Sequence, residues 1–401
     1  MRPPNSLSAE AAGAPELSRE QLGASLSALV RTPSVNPGMS ELAMVEEIER
    51  QLAGSGCELT RVESMPGRPS LAAVLEGSAD GPRLVLNGHM DTVAIDDRSR
   101  WSVDPFAGEI KDGAVWGRGS VDMKGGLASQ IACARILGGM RDRLRGSLVL
   151  HFAAGEECGE PGTLSLIEAG FVGDWGITTE PTGLEVATAE RGTGWFDITL
   201  SGRSTHAATP EAGANPIIVV EDVLARVRRY NDDISARTHP LLGSPICTVT
   251  MLAAGAEHNA IPDSCVLTVD RRLIPGETHD AVHGELQKLV SDAVAGHRGI
   301  TAEVTPVHHR FEAAEVPADS QFIEVMKRTV NHVTGEPATI TGTPYGSDVR
   351  NLVNDARMEA ITFGAGDVAL CHCADEHQSL EALRQATLVL TLVAIELLAT
   401  G

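Results

Sequence analysis

Histidine and carboxylate residues follow several short apolar segments of this chain, where strands of a sheet would end. They are His89 and Asp91 after LVLNG, Asp122 in GRGSVD, Glu156 and Glu157 after LVLHFAAG, Glu180 after WGITT, and His372 in ITFGAGDVALCHCADE. Imidazole nitrogens combined with carboxylate oxygens suit Zn²⁺ at one or two sites. These residue types therefore predict a zinc centre.

The number of carboxylates favours two zinc ions over one. Two Zn²⁺ ions bring four positive charges, which three ligand carboxylates and a bridging hydroxide would neutralise. A single ion among the same carboxylates would leave excess negative charge buried, which is costly. We therefore predict two metal ions per chain.

Simpler interpretations exist for each of these segments. A single histidine after a strand is more often an ordinary loop residue, and an adjacent glutamate pair is usually a solvated turn. GRGSVDMKGG resembles a phosphate-binding loop, but its spacing differs from that motif and Lys124 is followed by Gly125. Cys371 and Cys373 flank His372 and could be soft ligands, yet alternate residues of an extended segment face opposite sides. We expect them to be core thiols or thiols that support the ligands.

Buried strands must position these side chains. SLAAVLEG, RLVLNGH and SLVLHFAAGEE have the pattern of short buried strands, while the spacing of apolar residues is helical over Leu17 to Leu59 and over Gly125 to Met140. This alternation predicts an α/β layered domain. In open α/β sheets, ligand sites lie beyond the carboxyl ends of the strands, so the strand in LVLNGHMDTV would deliver His89 to the metal.

The pattern changes near Arg191, which predicts a second domain. Residues 191–307 have the order strand, helix, strand, strand, helix, strand, typical of a ferredoxin-like α+β unit. We predict this unit as an insertion in a catalytic domain made of residues 1–190 and 308–401. Residues 1–18 are predicted to be disordered.

Composition excludes several classes of protein. The 401 residues allow two domains, and 32 basic against 54 acidic residues give a formal charge of −22, which disfavours nucleic acid and anionic membrane partners. The N-terminal segment has no apolar core of a secretory signal, and the longest apolar run is too short to span a bilayer. Seven scattered cysteines indicate a reducing compartment, so we expect a cytoplasmic protein.

The order of the motifs resembles a known family. GHMDTV, GRGSVDMKGG, GEE, TTEPT and CHCADE are similar to the motif series of the dinuclear zinc amidohydrolases that include acetylornithine deacetylase, succinyl-diaminopimelate desuccinylase, aminoacylase and carboxypeptidase G. The similarity runs from about residue 20 to the C-terminus. It implies a zinc-peptidase-like catalytic domain, a mixed sheet flanked by helices, with an inserted lid and dimerisation domain, and a homodimer.

The resemblance also implies a set of metal ligands. His89, Asp122 and Glu180 would bind one zinc, and Asp122, Glu157 and His372 would bind the other, with Asp122 bridging. Cobalt or manganese could replace zinc, because this ligand set accepts all three ions.

Three further residues have implied catalytic roles. Asp91 would orient the His89 imidazole, and Glu156 would be the general base that takes a proton from a metal-bridging water and delivers one to the leaving nitrogen. His206, in the lid segment SGRSTHAATPEAGANPI, would polarise the scissile carbonyl in the active site of the opposite subunit.

The substrate-binding residues implied by the resemblance are Asn259, Arg272 and Ser347. Asn259 and Arg272 would bind the substrate carboxylate, for which a guanidinium is suited because it forms two parallel hydrogen bonds. Arg271 is the alternative, since adjacent residues of a strand face opposite sides and only one can point inward. Ser347 lies in YGSD, where the family has a substrate-lining loop.

The function implied is removal of a small acyl group from an N-acyl amino acid, by hydrolysis of an amide bond next to a carboxylate. The nearest alternative is a dipeptidase or carboxypeptidase on the same scaffold. A catalytically inactive binding protein for amino acids or peptides is a different class. That class predicts the loss of a ligand or of the base, and all of them are present.

Overall fold

The computed structural model of the protein describes residues 6–159 and 161–399, with only the backbone for 308–310. The chain divides into two compact units. The first unit comprises Met1–Thr188, Val316–Thr341 and Ser347–Gly401, and the second comprises Ala189–Glu315 and Gly342–Gly346. No helix within the described ranges has the length and apolarity needed to cross a membrane.

Helices and strands are numbered along the whole chain. The helices of the first unit are α1 (Ser6–Ala12), α2 (Arg19–Val30), α3 (Leu42–Leu52), α4 (Lys124–Gly138), α5 (Gly162–Glu168), α8 (Gln321–Thr334), α9 (Val349–Asn354) and α10 (Leu380–Leu398). Its strands are β1 (Glu58–Met65), β2 (Arg68–Glu76), β3 (Arg83–His89), β4 (Glu109–Lys111), β5 (Ala114–Trp116), β6 (Ser147–Ala153), β7 (Trp175–Thr178), β17 (Glu359–Thr362) and β18 (His377–Ser379). Two strands, β8 (Val186–Glu190) and β16 (Ile340–Thr343), cross the boundaries between the units.

The large sheet of the first unit is mixed. Its strand order is β1-β2-β6-β3-β7-β17-β8. The four central strands β6, β3, β7 and β17 run parallel, while β1, β2 and β8 pair antiparallel to their neighbours. The central strands therefore all end at one edge, where their following loops converge.

The core of the first unit explains why these segments are strands and helices. Leu84, Val85 and Leu86 of β3 are all fully buried, as expected for a central parallel strand covered on both faces. Burying each such side chain contributes roughly 1.5–3 kcal/mol. Helix α4 is buried along most of its length and contacts α2 and α10, so this face of the sheet is covered by helices.

The N-terminal segment departs from the predicted disorder. Ser6–Ala12 forms α1, and Pro15–Leu17 forms a short 3₁₀ helix. Leu7, Ala11 and Leu17 are buried in the main hydrophobic cluster, and α1 contacts α10. These tertiary contacts order a segment whose polar composition suggested disorder, while residues 1–5 of the same prediction lie outside the described residues.

The second unit is a ferredoxin-like α+β fold. Its elements are β9 (Gly192–Ser201), β10 (Thr205–His206), α6 (Val220–Ile234), β11 (Ile246–Ala254), β12 (Ala260–Ile261), β13 (Ser264–Leu273), α7 (His279–Val294), β14 (Thr301–Phe311) and β15 (Ala314–Glu315). The four long strands form an antiparallel sheet in the order β11-β13-β9-β14. Alternate residues of β13 are buried, because one face of the sheet packs on α6 and α7.

Candidate metal centre and active site

The register of the central strands brings the predicted ligands to one sheet edge. His89, the last residue of β3, lies opposite Ala153 of β6. Asn87 lies opposite Thr178 of β7, so Glu180, two residues beyond Thr178, is level with His89. The loops after β6 and β7 therefore carry their carboxylates to the imidazole at the end of β3.

One group of donors surrounds His89. Its Nε2 atom lies 3.2 Å from Oδ1 of Asp122 and 3.3 Å from Oε1 of Glu180. The His89 side chain is only 1% exposed, because it projects from a central strand into the unit. These donors match the first predicted ligand group.

A second group of donors surrounds His372. Its Nε2 atom lies 3.2 Å from Oδ2 of Asp122 and 3.3 Å from Oε2 of Glu157. The two imidazoles thus face opposite oxygens of one carboxylate, which is the arrangement a bridging ligand requires. Donor atoms of His89, Asp122 and Glu157 also lie within 4.8 Å of one another. The side chains present therefore fit two adjacent metal ions.

The electrostatics of this cluster indicate a deficit of positive charge. Burial lowers the pKa of His89, but Glu180 and Asp122 reverse the effect and raise it well above its ordinary value. Hydrogen bonds with Asp122 and Glu157 raise the pKa of His372 to about 10. Burial and the Asp122 charge raise the pKa of Glu180 to about 7. Divalent cations would supply the positive charge needed to neutralise these carboxylates.

Asp91 contacts both the imidazole and the loop that follows β6. His89 Nδ1 lies 3.0 Å from the backbone oxygen of Asp91 and 3.5 Å from its Oδ1. The same carboxylate accepts hydrogen bonds from the backbone N–H groups of Gly155, Glu156 and Glu157 at 3.0–3.1 Å. Asp91 is fully buried. It therefore fixes the glutamate pair as well as lying beside His89.

Glu156 lies in a buried polar environment. Burial, with the nearby Asp348 and Glu180 charges, raises its pKa well above the ordinary value, which is the direction a general base near neutral pH requires. Its Oε1 lies 3.8 Å from Nη1 of Arg350, a side chain that is 8% exposed. Arg350 Nη2 is also 3.8 Å from Asp348 Oδ1. A guanidinium and a carboxylate thus lie next to the predicted base.

Sequence reasoning did not find Asp348 and Arg350 as site residues. Thr163 Oγ1 donates a hydrogen bond to Asp348 Oδ2 at 2.7 Å and accepts one from Asn87 Nδ2 at 2.7 Å. This polar chain connects the end of β3 to the loop before α9. The available signal was the YGSD segment that the family resemblance had singled out, since Asp348 is its last residue and Arg350 follows two residues later.

Glu376 is a further residue that sequence reasoning missed. It lies four residues after His372 in CHCADE and is fully buried. Its carboxylate accepts hydrogen bonds from the loop that carries Asp122. The motif quoted for the resemblance contained this glutamate, but nothing in its spacing distinguished it from a solvated acidic residue.

The predicted lid residues lie in the second unit. His206 and Asn259 are exposed, and the β10–β12 pairing places them near each other, with the Ala207 N–H donating to the Asn259 backbone oxygen at 2.8 Å. Nδ1 of His206 accepts a hydrogen bond from the Ala208 N–H at 3.1 Å. These contacts are all local to the second unit, so the role of His206 at the metal centre stays a prediction.

The two arginines of β13 point to opposite faces, as strand alternation requires. Arg271 is fully buried and pairs with Glu277 at 2.6 Å. Arg272 is 34% exposed and pairs with Asp270 at 2.8 Å. Arg271 is thus engaged inside the second unit, whereas Arg272 lies on the more accessible face.

The remaining predicted residues differ in exposure. Ser347 belongs to the first unit and is 1% exposed, and its Oγ accepts a hydrogen bond from the Val349 N–H. Cys371 is partly buried, and burial raises the pKa of its thiol. Cys373 is exposed, so the expectation of a core thiol is wrong for this residue.

Two three-donor groups that share Asp122 thus fit a dinuclear metal centre. The chain belongs to the Peptidase family M20/M25/M40, whose family model matches residues 85–396. The resemblance found in the motifs is thus confirmed, and so are the fold class and the prediction of a dinuclear metal-dependent amidohydrolase or metallopeptidase.

Relatives of different activities share this similarity. An N-formyl-4-amino-5-aminomethyl-2-methylpyrimidine deformylase of Halalkalibacterium halodurans is 27% identical over 399 residues, covering 92% of each chain. A succinyl-diaminopimelate desuccinylase of Cereibacter sphaeroides is 31% identical over 357 residues, covering 84% of this chain and 88% of the relative. The crystal structure of aminopeptidase PepT from Bacillus cereus superimposes with a TM-score of 0.78 at 20% identity, covering 95% of this chain and 99% of that one.

Proposed function

We propose that the protein hydrolyses the amide bond of an N-acyl amino acid, releasing a small acyl group. The observation that carries the hydrolytic part of this proposal is the position of Asp122, whose two oxygens face His89 and His372 at 3.2 Å each. His89, Asp122 and Glu180 would hold one metal ion, and Asp122, Glu157 and His372 the other. When bound, the ions would supply Lewis-acid polarisation of the substrate carbonyl and a lowered pKa of bound water.

Glu156 is the general base of this proposal. Its buried carboxylate has a raised pKa, so it can take a proton from water and return it to the leaving nitrogen near neutral pH. Three backbone hydrogen bonds from the Gly155–Glu157 turn to Asp91 hold the turn that bears this carboxylate. Asp91 therefore acts on both the base and the His89 ligand.

The second unit supplies substrate recognition in this proposal. Arg272 and Asn259 would bind the substrate carboxylate, and Arg272 is favoured over Arg271 because Arg271 is buried against Glu277. Ser347, a residue of the first unit, would lie in a loop that lines the substrate. His206 would stabilise the developing oxyanion, and its exposed position leaves it accessible to a site of another chain.

A homodimer follows from the same proposal. Strand β11 lies at the edge of the four-stranded sheet and exposes Met251 by 66% and Leu252 by 57%. An apolar edge strand of this kind is commonly covered by another chain, which here would be a second copy. We further propose that zinc is the resident metal, with cobalt or manganese as substitutes, and that the protein is cytoplasmic.

The names of the relatives support an acyl substrate, since a deformylase and a desuccinylase each remove an acyl group. The second candidate is a peptidase of short peptides, which the likeness to an aminopeptidase fold makes worth testing. Both substrates present an amide bond near a carboxylate, so the metal centre alone does not separate them.

A kinetic screen of the zinc-loaded protein tests the proposal. N-formyl, N-acetyl and N-succinyl amino acids are compared with free dipeptides by their kcat/KM values, with Glu156→Gln as the control for contaminating hydrolases. We expect higher kcat/KM for the N-acyl amino acids. A higher value for dipeptides would establish the peptidase instead, and hydrolysis of neither class would overturn the proposal.

A further inference from the structure

Glu376 has an unusually complete set of hydrogen bonds for a buried carboxylate. Oε2 accepts from Nη1 of Arg118 at 2.7 Å and from the Gly119 N–H at 3.0 Å. Oε1 accepts from the Val121 N–H at 2.8 Å and from the Asp122 N–H at 3.1 Å. The side chain is 0% exposed. A buried charge of this kind is stable only because each oxygen is paired.

These bonds fasten the loop between β5 and α4. Gly117 and Gly119 have backbone φ angles of 145° and 81°, which favour glycine. Within the loop, the Ser120 N–H donates to the Gly117 oxygen at 3.1 Å and the Lys124 N–H donates to the Gly119 oxygen at 2.8 Å. The Gly117 N–H also donates to the backbone oxygen of Glu376 at 2.9 Å. The loop that carries Asp122 is therefore held by Glu376 in addition to its own turns.

Glu376 also belongs to the segment of His372, which is grouped with Asp122 at the second proposed metal position. It follows His372 by four residues and directly precedes β18, where His377 pairs with Trp116 of β5. One side chain thus connects the segment of His372 with the backbone N–H of Asp122 itself. This connection lies within four residues of both ligands along the chain.

We propose that Glu376 is a positioning residue that holds Asp122 and His372 in register for the second metal ion. This inference rests on the proposed function and its metal centre. Glu376 itself would contact neither metal nor substrate. Positioning residues behind metal ligands commonly change metal affinity or activity by about 10- to 100-fold when they are replaced. Glu376 acts through two backbone segments instead of through a ligand side chain.

Glu376→Gln tests this proposal. The amide group of glutamine would face either the Arg118 and Gly119 donors or the Val121 and Asp122 donors, so two hydrogen bonds would be lost whichever way it turns. We expect about 10- to 100-fold weaker binding of one of two zinc equivalents, measured by competition with a metal-binding dye. Turnover at subsaturating zinc should fall in kcat with KM unchanged. Metal affinity equal to that of the wild type would overturn the proposal.

Two further variants separate positioning from charge and from general stability. Glu376→Asp keeps the negative charge beside Arg118, but its side chain is one methylene shorter and cannot reach all four donors. It should also weaken the one zinc equivalent, and wild-type affinity in this variant would overturn positioning in favour of simple charge compensation. It also serves as the test if Glu376→Gln does not fold.

Glu41→Gln is the matched control, because Glu41 is a buried carboxylate, 1% exposed, that pairs with Arg68 in the first unit. It should lower the melting temperature without changing zinc affinity. An equal loss of zinc affinity in Glu41→Gln and Glu376→Gln would show a general effect of destabilisation and overturn the proposal. Wild-type protein that binds no zinc would instead overturn the proposed function, so the two failures are distinguishable.

Discussion

The two units present their candidate residues in opposite ways. In the first unit, His89, Asp91 and Glu180 are at most 4% exposed and contact one another or neighbouring backbone. In the second unit, His206 and Asn259 are exposed, and the hydrogen bonds described for them lie within the β10–β12 region. These three candidate residues of the first unit are held by buried contacts, whereas the candidate lid residues His206 and Asn259 remain at a surface.

This difference has a physical reason. Clustered carboxylates repel one another, so only a rigid sheet edge and its hydrogen bonds can keep them within ligand distance. A residue that binds a developing oxyanion needs no such support until the substrate is present. The first unit should therefore control metal binding and the proton transfer, and the second unit should control turnover without affecting metal content.

Glu156→Gln gives the largest expected effect and tests the first unit. Loss of a general base should lower kcat by about 10²- to 10⁴-fold while both zinc ions remain bound. The measurement is steady-state kinetics together with elemental analysis of the dialysed variant. Glu157→Gln is the matched neighbour and should lose metal occupancy. If Glu157→Gln keeps its metal and Glu156→Gln loses it, the two roles are reversed.

His206→Ala tests the second unit. Loss of one oxyanion donor should lower kcat by about 10²- to 10³-fold with metal content unchanged. Mixed dimers of His206→Ala and Glu156→Gln chains should regain activity, because one of their two sites would contain both intact residues. Mixed dimers that form and stay inactive would show that His206 serves its own chain or only packs the lid.

Asp91→Asn tests how strongly the first unit is preorganised. An asparagine can accept fewer of the hydrogen bonds from the Gly155–Glu157 turn, so zinc affinity and kcat should fall by about 10- to 100-fold. Asp174→Asn is the control, since Asp174 accepts a backbone hydrogen bond from Arg83 at the start of β3. Equal losses in both variants would mean that the effect comes from stability of the strand.

The smallest effect concerns the two halves of the metal centre. The His372 side chain is 53% exposed, on a backbone with φ of 59°, whereas His89 is 1% exposed on a central strand. Zinc beside His372 should therefore leave first, with roughly tenfold weaker binding, about 1.4 kcal/mol. Release into a chelating dye should show two phases, and His372→Ala should show only the slow one. A single phase for the wild type would contradict the predicted difference in zinc affinity between the two positions.

The sequence predicted the mixed α/β fold and the edge of the sheet for clear reasons. Strands such as RLVLNGH are continuous apolar runs, and the residue after such a run lies at the carboxyl end of a parallel strand. Residue types and positions thus make His89, Asp122 and His372 candidates for one cluster, while their assignment as ligands came from the family resemblance. The placement of Glu157 and Glu180 beside His89, however, depends on the register between β3, β6 and β7.

Contacts that connect distant parts of the chain could not be predicted. Glu376 and the Asp122 N–H are 254 residues apart, and no pattern in either segment specifies their hydrogen bond. The helix α1 was missed for a similar reason, because only the tertiary contacts of Leu7 and Ala11 distinguish this short segment from a disordered one. Local composition sets the helix propensity of a segment, while tertiary contacts determine whether the helix forms in the folded protein.

The position of β17 has a consequence for synthesis of the protein on the ribosome. This strand pairs with β7 and β8, yet it follows β8 by most of the second unit and further helices. At typical rates of translation, β17 is synthesised roughly 10–30 s after β8. During this interval the backbone edge of β7 that will pair with β17 is unpaired and can bind other nascent chains. Chaperone demand should therefore peak before residue 359 leaves the exit tunnel.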